Sequence, residues 1–324
     1  MPYAIRVHET GGPEAMRWEE VAMPTAGPGE AVVRHTAVGL NFIDVYFRTG
    51  LYKAPEMPFT PGGEAAGVVE EIGEGVEGLK PGDRVAYVSP VGSYAEYRTI
   101  KADRLVKVPD GISDETAAAM MLKGMTAQYL LRRTFRVEAG QTILFHAAAG
   151  GVGLIASQWA ASLGATVIGT VGSAEKAELA RANGCHHTIN YREEDFAARV
   201  KEITGGEGVD VVYDSVGKDA FPASLDCLKP MGMWVLFGQS SGPVPPVDLA
   251  ILAQKGALFC TRPTLFVYVA KQEDLQATAA DLFDTVASGK VTIPINQRHP
   301  LKDVAQAHRD LEGRKTTGTT ILIP

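Results

Sequence analysis

The chain is short of cysteine, short of positive charge and without a long apolar run, and each shortage closes off a class of protein. Among its 324 residues the cysteines are Cys185, Cys227 and Cys260, with no CxxC pair. Three scattered thiols argue against a disulfide framework and against a cysteine-bound zinc. The formal net charge is −7 and the isoelectric point lies near 5.6. That balance argues against a general binder of nucleic acid or of anionic membranes. No stretch of about 18 apolar residues runs without polar interruption, so no membrane-spanning helix is expected. The opening MPYAIRVHETGG lacks the basic segment and apolar run of a secretory signal. The expected location is therefore cytoplasmic. The seven histidines show no metal-ligand spacing with one another.

What is present divides into two patterns. From residue 1 to about 120 the chain offers short strand-like runs, including YAIRVHE, EAVVRHTAVGLN, EAAGVVEEIG, DRVAYVS and SYAEYRTI. Turns rich in Gly, Pro and acids separate them, which predicts an antiparallel or barrel-like β domain. Near Ser113 a helical pattern begins, with Ser113 as its N-cap and Gly124 expected to break it in two. Beyond it strands and helices alternate. The strands are TILFHA, ATVIGT, HHTIN, VDVVYDS, MWVLFG and ALFC, with helical patterns such as LIASQWAASLG, AEKAELARANG, EEDFAARVKEIT and FPASLDCLK between most of them. Alternation of this kind predicts a doubly wound parallel sheet of the Rossmann type, the α/β class. After about 270 two amphipathic helices and a last strand, TGTTILI, are expected to rejoin the first domain. The length itself favours two domains.

The sharpest motif is A-A-G-G-V-G at residues 148–153, following the strand TILFHA and opening a helix. In that context Ala149, Gly150, Gly151, Val152 and Gly153 are expected to bind a pyrophosphate. Gly150 admits the backbone to the phosphates, and Gly153 lets the helix sit close to the sheet. Chains that bind NAD carry an Asp or Glu roughly 20 residues past this loop, on the ribose 2′-hydroxyl. Here residues 166–173 contain no acid, and Ser173 and Lys176 follow. A hydroxyl and an ammonium suit a 2′-phosphate, so the expected cofactor is NADPH. The alternative is that Ser173 only caps its helix and Lys176 is solvated.

Several stretches together resemble the medium-chain dehydrogenase/reductase superfamily, and within it the zinc-free quinone oxidoreductases related to zeta-crystallin. They are VGLNFIDVYFRTGLY (38–52), PGGEAAGVVEEIGEGV (61–76), KPGDRVAY (80–87), GSYAEY (92–97), HAAAGGVG (146–153) and RKTTGTTIL (314–322). The resemblance implies a GroES-like, mostly β catalytic domain over 1–122 and 269–324, and a Rossmann domain over 123–268. The zinc enzymes of that superfamily carry a metal-binding Cys where this chain has Asn41, and a His where it has Gly63. They also insert a four-cysteine lobe where only VSPV stands here. No metal is therefore expected. A simple alcohol would need a Lewis acid to stabilise its alkoxide, whereas a quinone is electrophilic already.

By the same resemblance Asn41, Tyr46 and Tyr52 line the substrate site, with Asn41 donating to a quinone oxygen. The tyrosines stack, hydrogen-bond or supply a proton, or else merely pack. Asp44 matches an acid behind the metal position, structural more often than catalytic. Thr126 touches the nicotinamide end, Tyr191 and Arg314 reach the 2′-phosphate, and Ser215, Phe237, Gln239, Leu265 and Val267 edge the ribose and nicotinamide. Reduction of an activated C=C bond, in an enone or enoyl thioester, shares all these features. So does a low-activity cofactor-binding protein, or one that binds RNA, although no Arg-rich or RNP-like segment supports RNA. A homodimer through the edge strands of the Rossmann sheet, near 250–268, is also implied.

Overall fold

Alternating apolar and polar residues in the first part of the chain make strands that bury one face each. The computed structural model describes every residue, 1–324. In chain order the first elements are β1 (Tyr3–Val7), β2 (Met16–Glu20), β3 (Glu30–Gly39), α1 (Phe42–Thr49), β4 (Glu64–Ile72), β5 (Arg84–Val88), β6 (Tyr97–Lys101), β7 (Val106–Lys107) and α2 (Asp114–Tyr129). The next are β8 (Thr142–Phe145), α3 (Gly151–Ser162), β9 (Thr166–Val171), α4 (Ala174–Ala182), β10 (His187–Asn190), α5 (Phe196–Ile203), β11 (Val209–Asp214), α6 (Ala223–Asp226), β12 (Leu228–Leu236), α7 (Ala250–Gln254), β13 (Phe259–Thr261) and α8 (Leu265–Tyr268). The tail adds α9 (Gln272–Ala287), β14 (Ile295–Pro300), α10 (Val304–Glu312) and β15 (Thr319–Ile323).

Two units separate. The first holds Met1–Met125, Val269–Ala287 and Ile293–Pro324; the second holds Thr126–Tyr268 and Ser288–Thr292. In the first, a seven-stranded sheet runs β14-β15-β3-β4-β5-β7, with β6 also on β3, and β1 pairs with β2 separately. The tail does rejoin this unit: β15 lies antiparallel to β3 and parallel to β14. Ile5, Val33, Val38, Phe59, Val85, Tyr87 and Leu322 form its core.

In the second unit six parallel strands run β10-β9-β8-β11-β12-β13. Strand order reverses between β8 and β11, so the loops leaving their carboxyl ends diverge and open a crevice at the topological switch point. Its core gathers Leu144, Ile168, Ile189, Val212, Leu225 and Trp234. Cys185 and Cys227 are buried in this unit, and Cys260 is exposed on β13.

Two local expectations are corrected. Gly124 does not break its helix: α2 is continuous over Asp114–Tyr129, with Ser113 Oγ accepting the Thr116 N–H at 3.1 Å as its cap. The glycine serves packing instead, since a Cβ built there would lie 2.6 Å from Leu282 Cδ1 of α9. FPASLDCLK yields only the four-residue α6, because β12 already begins at Leu228.

Candidate functional site

The glycine loop lies at the carboxyl end of β8. Gly150 is the N-cap of α3 and makes no side-chain cap bond, so the first-turn N–H groups face outward unmet by any capping side chain. A Cβ on Gly153 would sit 2.5 Å from the Ala147 carbonyl oxygen and 2.7 Å from Ala148 Cα. Only glycine lets α3 start this close to the strand. Ala149 is buried, and Gly150, Gly151 and Val152 form the half-exposed lip. The helix dipole adds its positive end here. Such a lip fits a pyrophosphate.

The end of β9 supplies the second feature. Ser173 Oγ accepts the Lys176 N–H at 3.3 Å and caps α4. Capping uses the hydroxyl as an acceptor and leaves its O–H to donate, so capping and phosphate binding are compatible roles. Tyr191 follows β10, its N–H bonded to the Val171 carbonyl at 3.1 Å. Its hydroxyl lies over Gly172, where a Cβ would come within 2.7 Å of it. Ser173, Lys176 and Tyr191 thus border one edge of this unit. Arg314 belongs to the first unit, exposed just beyond α10, with a φ of +57°.

Ser215, Phe237 and Gln239 gather at the carboxyl ends of β11 and β12. The Ser240 N–H bonds the Ser215 carbonyl at 3.0 Å, and a Cβ on Gly217 would meet Gln239 Cα at 3.1 Å. Asp214 organises this loop, a role its place in VDVVYDSVG hints at only through the glycine three residues later. Fully buried, it accepts the Val216 and Gly217 N–H groups at 2.8 and 3.0 Å and the Trp234 indole N–H at 3.1 Å. His146 lies beneath, bonded to Thr170 Oγ1 at 2.9 Å and Ser224 Oγ at 3.0 Å, and burial pushes its pKa down. Thr126 lies within α2 rather than at the start of a second helix, and is buried. Leu265 and Val267 stand on the short α8, the first buried and the second 71% exposed.

In the first unit, α1 positions the remaining candidates. Asn41 is its N-cap and Asp44 its third residue, and Asp44 Oδ2 accepts the Asn41 backbone N–H at 2.8 Å. Gly50, at φ +82°, ends the helix in the left-handed region. The Asn41 side-chain N–H donates to Glu64 Oε1 at 2.9 Å, and Lys123 Nζ reaches the same oxygen at 2.5 Å. Asp44 Oδ2 also accepts the Tyr94 hydroxyl at 2.7 Å, and Tyr94 meets His308 Nε2 at 3.1 Å. Arg48 donates to His308 Nδ1 at 3.0 Å and grips Glu312 through two bonds of 2.8 and 2.9 Å. Arginine can only donate, so neutral His308 carries its proton on Nε2 and donates to Tyr94. Burial raises the Asp44 carboxyl to about 7, against the Tyr94 and Asn41 hydrogen bonds. Its Oδ1 is buried without a hydrogen-bond partner, near the place a Gly63 side chain would fill.

Tyr46 is buried and Tyr52 half-buried. Their rings meet edge-on at 5.1 Å, with Phe42 5.6 Å from Tyr46 and Phe47 5.7 Å from Tyr52. The structure therefore brings Asn41, Asp44, Tyr46 and Tyr52 together on and beside α1. Sequence reasoning gave no role to Glu64, Lys123, Tyr94 and His308, which are far apart in the chain; Glu64 and Tyr94 lie in two of the stretches that carry the resemblance, but nothing local shows what their side chains meet. Nowhere do three or more His, Cys, Asp or Glu side chains gather as they would around a metal.

Comparison with known proteins bears on this geometry directly. Residues 27–110 match the alcohol dehydrogenase GroES-like domain and residues 151–285 the zinc-binding dehydrogenase domain. The chain is 53% identical to the quinone oxidoreductase of Pseudomonas aeruginosa, over 100% of both chains. The chain belongs to the zinc-free quinone oxidoreductases of the medium-chain dehydrogenase/reductase superfamily. Its fold matches the crystal structure of Escherichia coli quinone oxidoreductase complexed with NADPH with a TM-score of 0.97, at 49% identity, covering 99% of this chain and 100% of that one. A 2-haloacrylate reductase of a Burkholderia species is 47% identical over 100% of this chain and 99% of its own. For a zinc-free quinone oxidoreductase, an amide at 41 and no side chain at 63 make chemical sense. Neither is a zinc ligand of the usual Cys, His or carboxylate kind, and Asn41 still offers a hydrogen bond.

Proposed function

We propose that the protein reduces quinones with NADPH, the second unit holding the cofactor and the first handling the quinone. The observation that carries this is the pairing of a close-packed glycine lip with a β9 end that offers no acid over residues 166–173, the exposed Glu175 standing one step into α4. The lip suits a pyrophosphate. The edge, with Ser173, Lys176 and Tyr191, suits a 2′-phosphate. Ala149 to Gly153 contribute backbone, while Thr126, Ser215, Phe237, Gln239, Leu265 and Val267 border the ribose and nicotinamide. When bound, NADPH supplies hydride. The quinone gains that hydride and one proton and leaves as a hydroquinone.

Each side chain then has a task it can perform without a metal. Asn41 offers an amide N–H to a quinone oxygen. Tyr46 and Tyr52 present ring edges and hydroxyls that hold a flat ring in place and keep water from it. Asp44 supports Asn41 from behind.

The 2-haloacrylate reductase likeness favours one second reading, reduction of activated C=C bonds on the same scaffold. Steady-state oxidation of NADPH and NADH with 9,10-phenanthrenequinone, 1,4-benzoquinone and an alkyl enone separates the two. Quinone turnover favouring NADPH is the expected result. Enone turnover alone would move the function to the second reading, and equal use of NADH would remove the 2′-phosphate site. A homodimer is proposed through β13, the end strand of its sheet, where Phe259 is 58% exposed. A monomeric mass in solution would refute it. Cytoplasmic residence is proposed from the scarcity of cysteine, and no helix is long and apolar enough to cross a membrane.

A further inference from the structure

Glu64 opens β4 with its side chain fully buried, and Lys123 reaches it from α2 with a side-chain exposure of 6%. Burying a carboxylate beside a reacting centre is costly, and the site must have a reason to keep it. Three donors converge on it. Oε1 accepts the Asn41 amide and the Lys123 ammonium, and Oε2 accepts the Leu122 backbone N–H at 2.5 Å.

The bond from Asn41 decides which way its amide faces. A flipped amide would press a carbonyl oxygen against a carboxylate, and two acceptors repel. With one N–H held by Glu64, the amide is fixed as a donor with its second N–H to offer. The charge creates a separate difficulty. Hydride addition before proton uptake leaves a hydroquinone monoanion, with negative charge on the oxygen that Asn41 contacts. An uncompensated carboxylate on the far side of the same amide would oppose that charge in a low-dielectric site. The ammonium of Lys123, bonded to the same Oε1, cancels it.

We propose that Glu64 and Lys123 are positioning residues for quinone reduction: Glu64 aims the Asn41 amide, and Lys123 neutralises Glu64 beside the oxygen that becomes negative. The inference rests on the quinone-reductase function proposed above. It requires the pair to act through its summed charge, so removing both charges must be less harmful than removing one.

The test compares wild type, Lys123→Met and the double variant Glu64→Gln/Lys123→Met. Measured are kcat and KM for 1,4-benzoquinone, the Kd of NADPH and the melting temperature. Lys123→Met is expected to lower kcat by about 10- to 100-fold, with KM changing less than about threefold and NADPH affinity unchanged. The double variant keeps an acceptor for Asn41 and carries no charge, at the cost of the Leu122 N–H bond, and should regain about threefold or more of the loss. If Lys123→Met does not fold, Lys123→Gln, alone and with Glu64→Gln, takes its place with the same expectation. Wild-type kcat in the single variant overturns the inference. So does a folded, NADPH-binding double variant no faster than the single one. A wild-type enzyme that turns over no quinone would instead overturn the function on which the inference depends.

Discussion

Asp44 is a carboxyl that folding makes harder to ionise. Its ordinary value of 3.8 rises to about 7 through burial. The folded protein therefore holds a proton that the unfolded chain releases. The stability this lends is complete below about pH 4 and is lost as pH climbs through about 7. His35 and His308 run the opposite way. Burial drops them to about 4 and about 3, so they favour the fold fully above about 6.5 and withdraw that support on acidification. Asp44→Asn removes one slope and leaves the other. Its melting temperature relative to wild type should rise between about pH 4 and 7 and level off above about 7, and a gap constant with pH would show that Asp44 does not titrate there. Tyr94→Phe takes a donor from Asp44 and an acceptor from His308, both buried. It should cost about 1 to 3 kcal/mol of stability, read from a lowered melting temperature. A melting temperature equal to wild type would mean that water replaces the hydroxyl.

At the scale of the element, the start of α3 is the point of least tolerance. Gly153→Ala would force a methyl against the backbone of residues 147 and 148. The helix must then lift from β8 and carry its N–H groups with it. NADPH affinity should fall by about tenfold or more, seen in fluorescence titration, since misplaced donors lose charge-assisted bonds of about 1.5 kcal/mol or more each. Unchanged affinity would show that the lip does not hold the pyrophosphate. This loop was legible because it is local: strand, glycines and helix are contiguous. The helix α1 was not. FIDVYFRT is rich in aromatic and β-branched residues, which do not favour helix. It forms because Asn41 and Asp44 cap one end, Gly50 closes the other, and Val45, Tyr46 and Phe47 bury between. Gly124 was misread for a related reason. A glycine's cost in a helix is visible in sequence, whereas the neighbour it makes room for, Leu282, lies 158 positions further along.

Across the whole molecule, the parallel sheet could be read strand by strand, because strands buried on both faces are near-continuous apolar runs. The other sheet was only partly legible. Its β7 is very short and its β14 is exposed at alternate positions, and the sheet is joined by β15 pairing with β3 from the other end of the chain. The Glu64–Lys123 and Tyr94–His308 contacts escaped notice on the same ground. Cofactor binding should act on the two units unequally. At a hundred times its Kd, NADPH stabilises the form that binds it by about 2.7 kcal/mol. Hydrogen-exchange protection should therefore grow around residues 146–153 and 171–176 far more than in β3 to β5, and a uniform gain would contradict the assignment of the cofactor to the second unit. The placement of the thiols adds a point about durability. Quinones are Michael acceptors, and an enzyme that admits them risks being arylated by its own substrate. The attacking species is the thiolate. Burial holds Cys185 at about 11 and Cys227 at about 12. Both therefore stay protonated and out of reach at neutral pH, and the enzyme's working life should not be limited by alkylation at either one.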